Sequence, residues 1–181
     1  MTTPRTTRDP DLVEAGRRAI ATERQGLAAL EARIDGAFAA ACRLALACRG
    51  RIVVTGMGKS GHVGGKIAAT LASTGSPAFF LHPAEASHGD IGMITRDDVL
   101  LALSNSGETP ELLTLLPPVA RLGVPIIAVT GNPASTLARA AQVHLDVSVP
   151  AEACPLNLAP TASTTATLAM GDALEIGRAH V

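Results

Sequence analysis

From residue 51 onward the apolar positions fall into five short runs, at 52–55, 78–81, 99–104, 125–130 and 143–147. They are rich in Val, Ile, Leu or Phe, and each is bounded by Gly, Pro, Asp or Asn. Each is too short for a good helix. Three are nearly continuous in apolar character, the pattern of strands covered on both faces. Helical segments at 61–74, 109–122 and 133–141 separate the runs, and a last helix is expected from about Pro160 to the end. This alternation predicts parallel strands joined by right-handed crossovers. Before residue 51 the period is helical: Leu12, Val13, Ile20, Leu27, Leu30 and Ile34 recur with Arg and Glu between them. Asp35 and Gly36 predict a break into two helices within 10–49, and Gly50 a stop. The expected fold is α/β, a three-layer α/β/α sandwich with about five parallel strands preceded by two N-terminal helices. The polar residues 1–9 are expected to be disordered. No internal repeat, low-complexity tract or interdomain linker interrupts the chain.

A length of 181 residues fits one domain with a core of its own. The hydrophobic fraction is 47%, yet there is no Trp, no Tyr and only three Phe. A protein that stacks nucleic-acid bases would need more rings. With 15 basic and 16 acidic residues the net charge is −1, so no nucleic-acid footprint is visible. No apolar run reaches the roughly 18 residues of a bilayer span, and the start lacks a secretory apolar stretch. Cys42, Cys48 and Cys154 are an odd number without metal-type spacing, which predicts reduced thiols in a cytoplasmic protein.

In a parallel sheet, ligands bind outside the carboxyl ends of the strands. The first such end carries "TGMGKSGHVGGK", residues 55–66, a composition suited to a phosphate. A nucleotide P-loop is excluded: Gly58-Lys59-Ser60 supplies its end, but its first glycine would fall on Val53, inside the strand. Gly56, Gly58 and Gly61 match the dinucleotide fingerprint literally. That site also wants an acid at the end of the second strand, where the chain reads Phe79-Phe80-Leu81-His82-Pro83, with Glu85 a few residues late. A monophosphate fits best, because a second anion-ready turn, "LSNSGETPE" at 103–111, follows the third strand. Ser104, Asn105, Ser106 and Thr109 offer donors around Gly107. Thr109 is a natural N-cap, Pro110 suits a first helical turn, and the helix start favours a dianion. An ordinary capped helix start is the plain alternative for either turn taken singly. The stretch from His82 to Asp98 is long for a loop, which favours function.

The segments "GMGKSGH", "FFLHPAEASHGDIGM", "SNSGETPE" and "EACPLNLAPTASTTATLAMGDAL" resemble the sugar isomerase (SIS) domain. Within it they are similar to the D-arabinose 5-phosphate isomerases, over about residues 10–174. The resemblance implies a flavodoxin-like sheet and a homotetramer, and composition speaks against nucleic-acid or membrane partners. It implies interconversion of D-ribulose 5-phosphate and D-arabinose 5-phosphate for Kdo and lipopolysaccharide synthesis. Such isomerisation moves a proton between C1 and C2 through an enediol and requires no cofactor. Two CBS domains follow the SIS domain in many members, and no counterpart occurs within this sequence.

Glu152 follows the fifth strand among Ala151, Ala153 and Pro155, where desolvation is expected to raise its pKa and suit it as a general base. A solvated loop glutamate is the alternative. Lys59 could neutralise the phosphate or an enediolate oxygen. Glu111 suits the first turn of a helix by its charge alone, or orients Lys59 or a sugar hydroxyl. The resemblance marks Lys59, Glu111, Glu152 and His88 as catalytic. It counts Ser60, Gly75, Ser76, His82, His88, Ser104, Asn105, Ser106 and Thr109 as substrate-binding, and suggests an inhibitory zinc at His82. Asp90 is expected to turn its loop and His144 to be structural. Thr161, Ser163, Thr164 and Thr165 cap the last helix or line the sugar pocket, while Leu168, Met170 and Leu174 belong to the core.

The resemblance stops at Leu174. Residues 175–181, "EIGRAHV", fit neither a helical face nor the family pattern, and Gly177 is expected to interrupt the helix. One reverse translation of these seven residues reads as the start of a common sequencing adapter, so the tail is expected to be an artefact and the natural chain longer. The family's further catalytic histidine lies beyond this end, and His180 is not given its role; the chain as it stands is therefore expected to be weak or inactive. The alternative function is a non-catalytic SIS module sensing a sugar phosphate. Such regulators carry a helix-turn-helix domain in front, whereas the first 50 residues here read as packing helices. A glucosamine 6-phosphate synthase-type domain is a third reading.

Overall fold

A computed structural model describes residues 9–179. Five strands, β1 (Ile52–Gly56), β2 (Ala78–Leu81), β3 (Val99–Leu103), β4 (Ile126–Thr130) and β5 (Val143–Asp146), pair in parallel in the order β2-β1-β3-β4-β5. β1, β3 and β4 are buried at every position, which is why their sequences read as continuous apolar runs. Successive residues face opposite layers. Val54, Leu101, Leu103, Ile127 and Val129 join one core, and Val53, Leu100, Ala102, Ile126 and Ala128 the other.

The first core is covered by α1 (Asp9–Glu31), α2 (Gly36–Leu46), α3 (Gly58–Ser73) and α8 (Ala162–Ala179), through Leu30, Ala41, Ile67, Leu71, Met170 and Leu174. The second is covered by α4 (Pro83–Ser87), α5 (Pro110–Leu113), α6 (Leu116–Leu122) and α7 (Thr136–Ala140), through Ala86, Leu112, Leu116, Val119 and Leu137. The three expected layers are therefore present. The connection after β1 leaves on one face and that after β3 on the other, so the chain diverges between these neighbours. Such a divergence opens a crevice at the carboxyl ends.

Several expectations need correction. The helix expected at 109–122 is two helices. Pro117 and Pro118 lack the N–H that an unbroken helix would need there, and their rings would crowd the preceding turn, so a new helix starts at Leu116. The helix expected at 133–141 shrinks to Thr136–Ala140, capped by Ser135, whose side chain accepts from the Ala138 N–H at 3.2 Å. The 82–98 stretch is not irregular: it holds α4 and a 3₁₀ turn, Asp90–Met93, opened by Asp90. The apolar stripe of α1 keeps its helical spacing, but Leu12, Val13 and Ile20 lie exposed. α8 runs on to Ala179 without interruption at Gly177. A Cβ there would stand 2.9 Å from the Cys42 sulfur, so Gly177 lets α8 approach α2. The expected disordered start lies outside the described residues except for Asp9, which opens α1; His180 lies outside them too. All three cysteines are unpaired. No helix among the described residues is long and apolar enough to cross a membrane.

Candidate active site

Two turns and one carboxylate meet where the sheet diverges. After β1, Met57 occupies the N-cap of α3 and makes no side-chain cap. Its apolar side chain cannot accept from the first-turn N–H groups of this 16-residue helix, which leaves them for an anion. Gly61 makes so tight a start feasible, since a Cβ there would sit 2.7 Å from the Gly56 carbonyl oxygen. Lys59 is exposed and Ser60 half-buried at this start.

The turn after β3 is bonded within itself. Ser104 Oγ and Thr109 Oγ1 are 2.8 Å apart, the Gly107 N–H donates to Ser104 Oγ at 3.0 Å, and the Glu108 N–H donates to Ser106 Oγ at 3.2 Å. Gly107 holds φ at 67°, and a side chain there would collide with Ser135. Thr109 does take the N-cap position of α5, but its hydroxyl serves Ser104 and not the helix. With four residues, α5 adds little dipole. Glu108, which sequence reasoning passed over, pins the turn to α7 by accepting from the Thr136 N–H at 2.7 Å. That backbone N–H and the Thr136 side chain hold the Glu108 carboxyl below its ordinary value.

Glu152 closes the site from the other side. Its Oε2 accepts from the Thr161 N–H at 2.7 Å, the Thr161 hydroxyl at 2.9 Å and the Ser163 N–H at 3.3 Å, at the start of α8. Burial pushes this carboxyl up, but the Ser163 hydroxyl nearby and the donors of Thr161 and Ser163 outweigh it, so the pKa is lowered. Ser163 Oγ stands close enough to the carboxylate to stabilise its charge, yet makes no hydrogen bond of ordinary length and angle. The expected upward shift is thus corrected: the helix start stabilises the charged form. Thr161 has a second task, accepting from the Ala153 N–H at 2.8 Å and so fixing the Glu152 loop.

One crevice of about 530 Å³ joins these parts, within the roughly 300–1,000 Å³ usual for small-molecule sites. Lys59, Ser60, Ser104, Asn105, Ser106, Thr109 and Glu152 all line it. Ser163 and Thr164 line it as well, while Thr165 instead donates to Glu23 of α1 at 2.9 Å. Met57, Asn157, Leu158, Pro160 and Thr167 are wall residues that sequence reasoning missed. Only Thr167 gave a signal, lying one helical turn after Ser163.

Other candidates stand apart from the crevice. Gly75 and Ser76 line a cavity of about 170 Å³ with Cys48 and Pro77, before β2, at the amino end of the sheet. His82 caps α4, its Nδ1 accepting from the Ala84 N–H at 3.3 Å. His88 and Glu111 are exposed, on α4's C-cap and α5. The described residues contain no group of three or more His, Cys, Asp or Glu placed to hold a metal, and His82 joins none. His144 is structural as expected, 2.9 Å from Thr130 Oγ1.

The SIS domain family model matches residues 45–176. The chain is 65% identical over 166 residues to the arabinose 5-phosphate isomerase KdsD of Pseudomonas aeruginosa, covering 92% of this chain and 51% of that protein. It is 57% identical over the same length to KdsD of Escherichia coli K12, with the same coverage. The chain thus spans about half the length of the curated relatives it matches. A solved structure of an Escherichia coli CFT073 protein in complex with arabinose 5-phosphate superposes with a TM-score of 0.88 at 38% identity, covering 96% of this chain and 92% of that one.

Proposed function

The chain belongs to the SIS-domain family, and on that premise we propose that it carries the isomerase site of an enzyme interconverting D-ribulose 5-phosphate and D-arabinose 5-phosphate. The single observation that carries this reading is the shared crevice. Donors from two separate turns, a lysine and an ionised carboxylate open into one cavity sized for a sugar phosphate. The similarity to two KdsD isomerases supports the substrate.

The assigned chemistry follows from the residues. Ser60, Ser104, Ser106 and Thr109, with the uncapped start of α3, grip the phosphate. Binding energy from that distal group holds the reacting carbons in place. Glu152, ionised at neutral pH, takes the proton from C2 of the open-chain aldose. The C–H pair becomes the C1–C2 double bond, and the carbonyl pair moves to the C1 oxygen, which gains a proton. Loss of the C2 hydroxyl proton and return of the first proton to C1 then gives the ketose. A lowered pKa makes Glu152 a weaker base than expected. Ligand that displaces water strengthens the burial already pushing its pKa up. Lys59 offsets the charge on the phosphate or the enediolate oxygen. Only protons move, so we assign no cofactor and no required metal.

The finer reading is a cytoplasmic homotetramer serving Kdo and lipopolysaccharide synthesis. Exposed Leu12, Val13, Ile20, Leu156 and Leu158 support subunit contacts. The second reading, a sugar-phosphate sensor, is favoured by Glu152 Oε2 being committed to the start of α8. A coupled assay for arabinose 5-phosphate formation separates the two. Turnover that disappears in Lys59→Ala and Glu152→Gln supports the isomerase; binding without turnover in the longer natural protein supports the sensor.

A further inference from the structure

Ser163 is the second residue of the 18-residue helix α8. It is 2% exposed and lines the crevice beside Glu152. Its N–H donates to Glu152 Oε2 at 3.3 Å and its carbonyl accepts the Thr167 hydroxyl at 2.8 Å. Its own Oγ is buried and, beyond stabilising the Glu152 carboxylate beside it, makes no hydrogen bond of ordinary length and angle to any described residue. Thr55 and Ser76 also carry unpartnered buried hydroxyls, but neither lines the crevice. Folding around an unpaired hydroxyl is unfavourable, and alanine would fill nearly the same space without that cost. A hydroxyl in this wall is accounted for by a partner that arrives with the ligand.

We propose that Ser163 Oγ is a specificity-determining contact that hydrogen-bonds the C2 oxygen of the bound sugar phosphate. The inference rests on the isomerase reading of this crevice. The residue's N–H already holds the carboxylate assigned to C1 and C2, so its hydroxyl lies among the atoms that can reach the reacting pair. A wall that bonds a substrate oxygen rejects the analogue lacking it, because its own polar group is then left unpaired.

The test compares arabinose 5-phosphate with 2-deoxyribose 5-phosphate, the same sugar phosphate without its C2 oxygen. Dissociation constants for both are measured by calorimetry on the wild-type chain and on Ser163→Ala, alongside the thermal midpoint. Wild type is expected to prefer the first ligand by roughly tenfold, and Ser163→Ala to lose most of that preference with an unchanged or raised midpoint. Ser163→Cys, which keeps the volume but donates weakly, is expected to behave likewise and serves if the alanine variant does not fold. An intact preference in the folded variants overturns the proposal alone. So does an equal loss for both ligands with a lowered midpoint, the mark of a structural role. A wild-type chain that binds neither ligand overturns the reading of the crevice together with this contact.

Discussion

The turn at Ser104–Thr109 and the segment from Glu152 to Ser163 face one crevice, yet they reach it in opposite conditions. The turn is a closed circuit: Ser104 bonds Thr109 and Gly107, Ser106 bonds Glu108, and Glu108 bonds Thr136. Its shape is set before any ligand arrives. The facing segment is asymmetric. One carboxylate oxygen of Glu152 takes three donors, while the Ser163 hydroxyl beside it makes no hydrogen bond of ordinary length and angle among the described residues. The difference teaches a division of labour. A grip on a phosphate, which is chemically inert here, benefits from rigidity. A region meeting atoms that change bonding needs groups left uncommitted.

The largest expected effect breaks the chemical half alone. Glu152→Gln keeps the side chain's shape and is expected to lower turnover by roughly 10²–10⁴-fold, the usual contribution of a general base. Its affinity for sugar phosphate should change little, as isothermal calorimetry would report. Next, Ser104→Ala opens the circuit of the turn. It is expected to cost about 1 kcal/mol of stability and to weaken phosphate-ligand binding roughly tenfold, with kcat less affected.

Thiol reactivity sharpens the same contrast in the loop that brings Asn157 and Leu158 to the crevice. The N–H groups of Ala159, Leu158, Leu156 and Asn157 hold the half-exposed Cys154 thiol below its ordinary value, whereas burial pushes Cys42 and Cys48 up. Iodoacetamide with mass spectrometry is therefore expected to modify Cys154 first at neutral pH. Saturating ligand should slow that reaction.

The smallest effect is on stability against pH. The Glu152 pKa is lower in the fold than in the unfolded chain, so its contribution is complete above the ordinary value of 4.5 and is lost as pH falls through the folded value. Denaturant melts of wild type and Glu152→Gln between pH 7 and pH 3 should show the wild type losing more on acidification, since the variant lacks this titration.

Much of the frame could be read in advance, for a physical reason. Strands covered on both faces must be apolar at successive positions, and β1, β3 and β4 obey that rule in sequence and structure alike. The two glycine- and serine-bearing turns were legible because tight backbone turns restrict residue type. The break between α5 and α6 was also legible in Pro117 and Pro118, though the helical period of their surroundings hid it. Glu152 was visible as a carboxylate at a strand end, but the direction of its pKa shift was not. That shift depends on Thr161 and Ser163, nine and eleven residues away, turning back upon it. Leu158 and Asn157 reach the crevice through a loop whose shape no periodicity encodes. The exposure of Leu12, Val13 and Ile20 reverses a different inference, since a helical stripe signals burial without saying against which surface.

The most direct measurement is a crystal structure of the chain with arabinose 5-phosphate bound. The phosphate should lie within hydrogen-bond distance of Ser104 and Thr109, near the start of α3, with C1 and C2 beside the free oxygen of Glu152. A sugar phosphate seated instead at the amino end of the sheet beside Ser76, with the crevice between Ser60, Ser104 and Glu152 left empty, would contradict it.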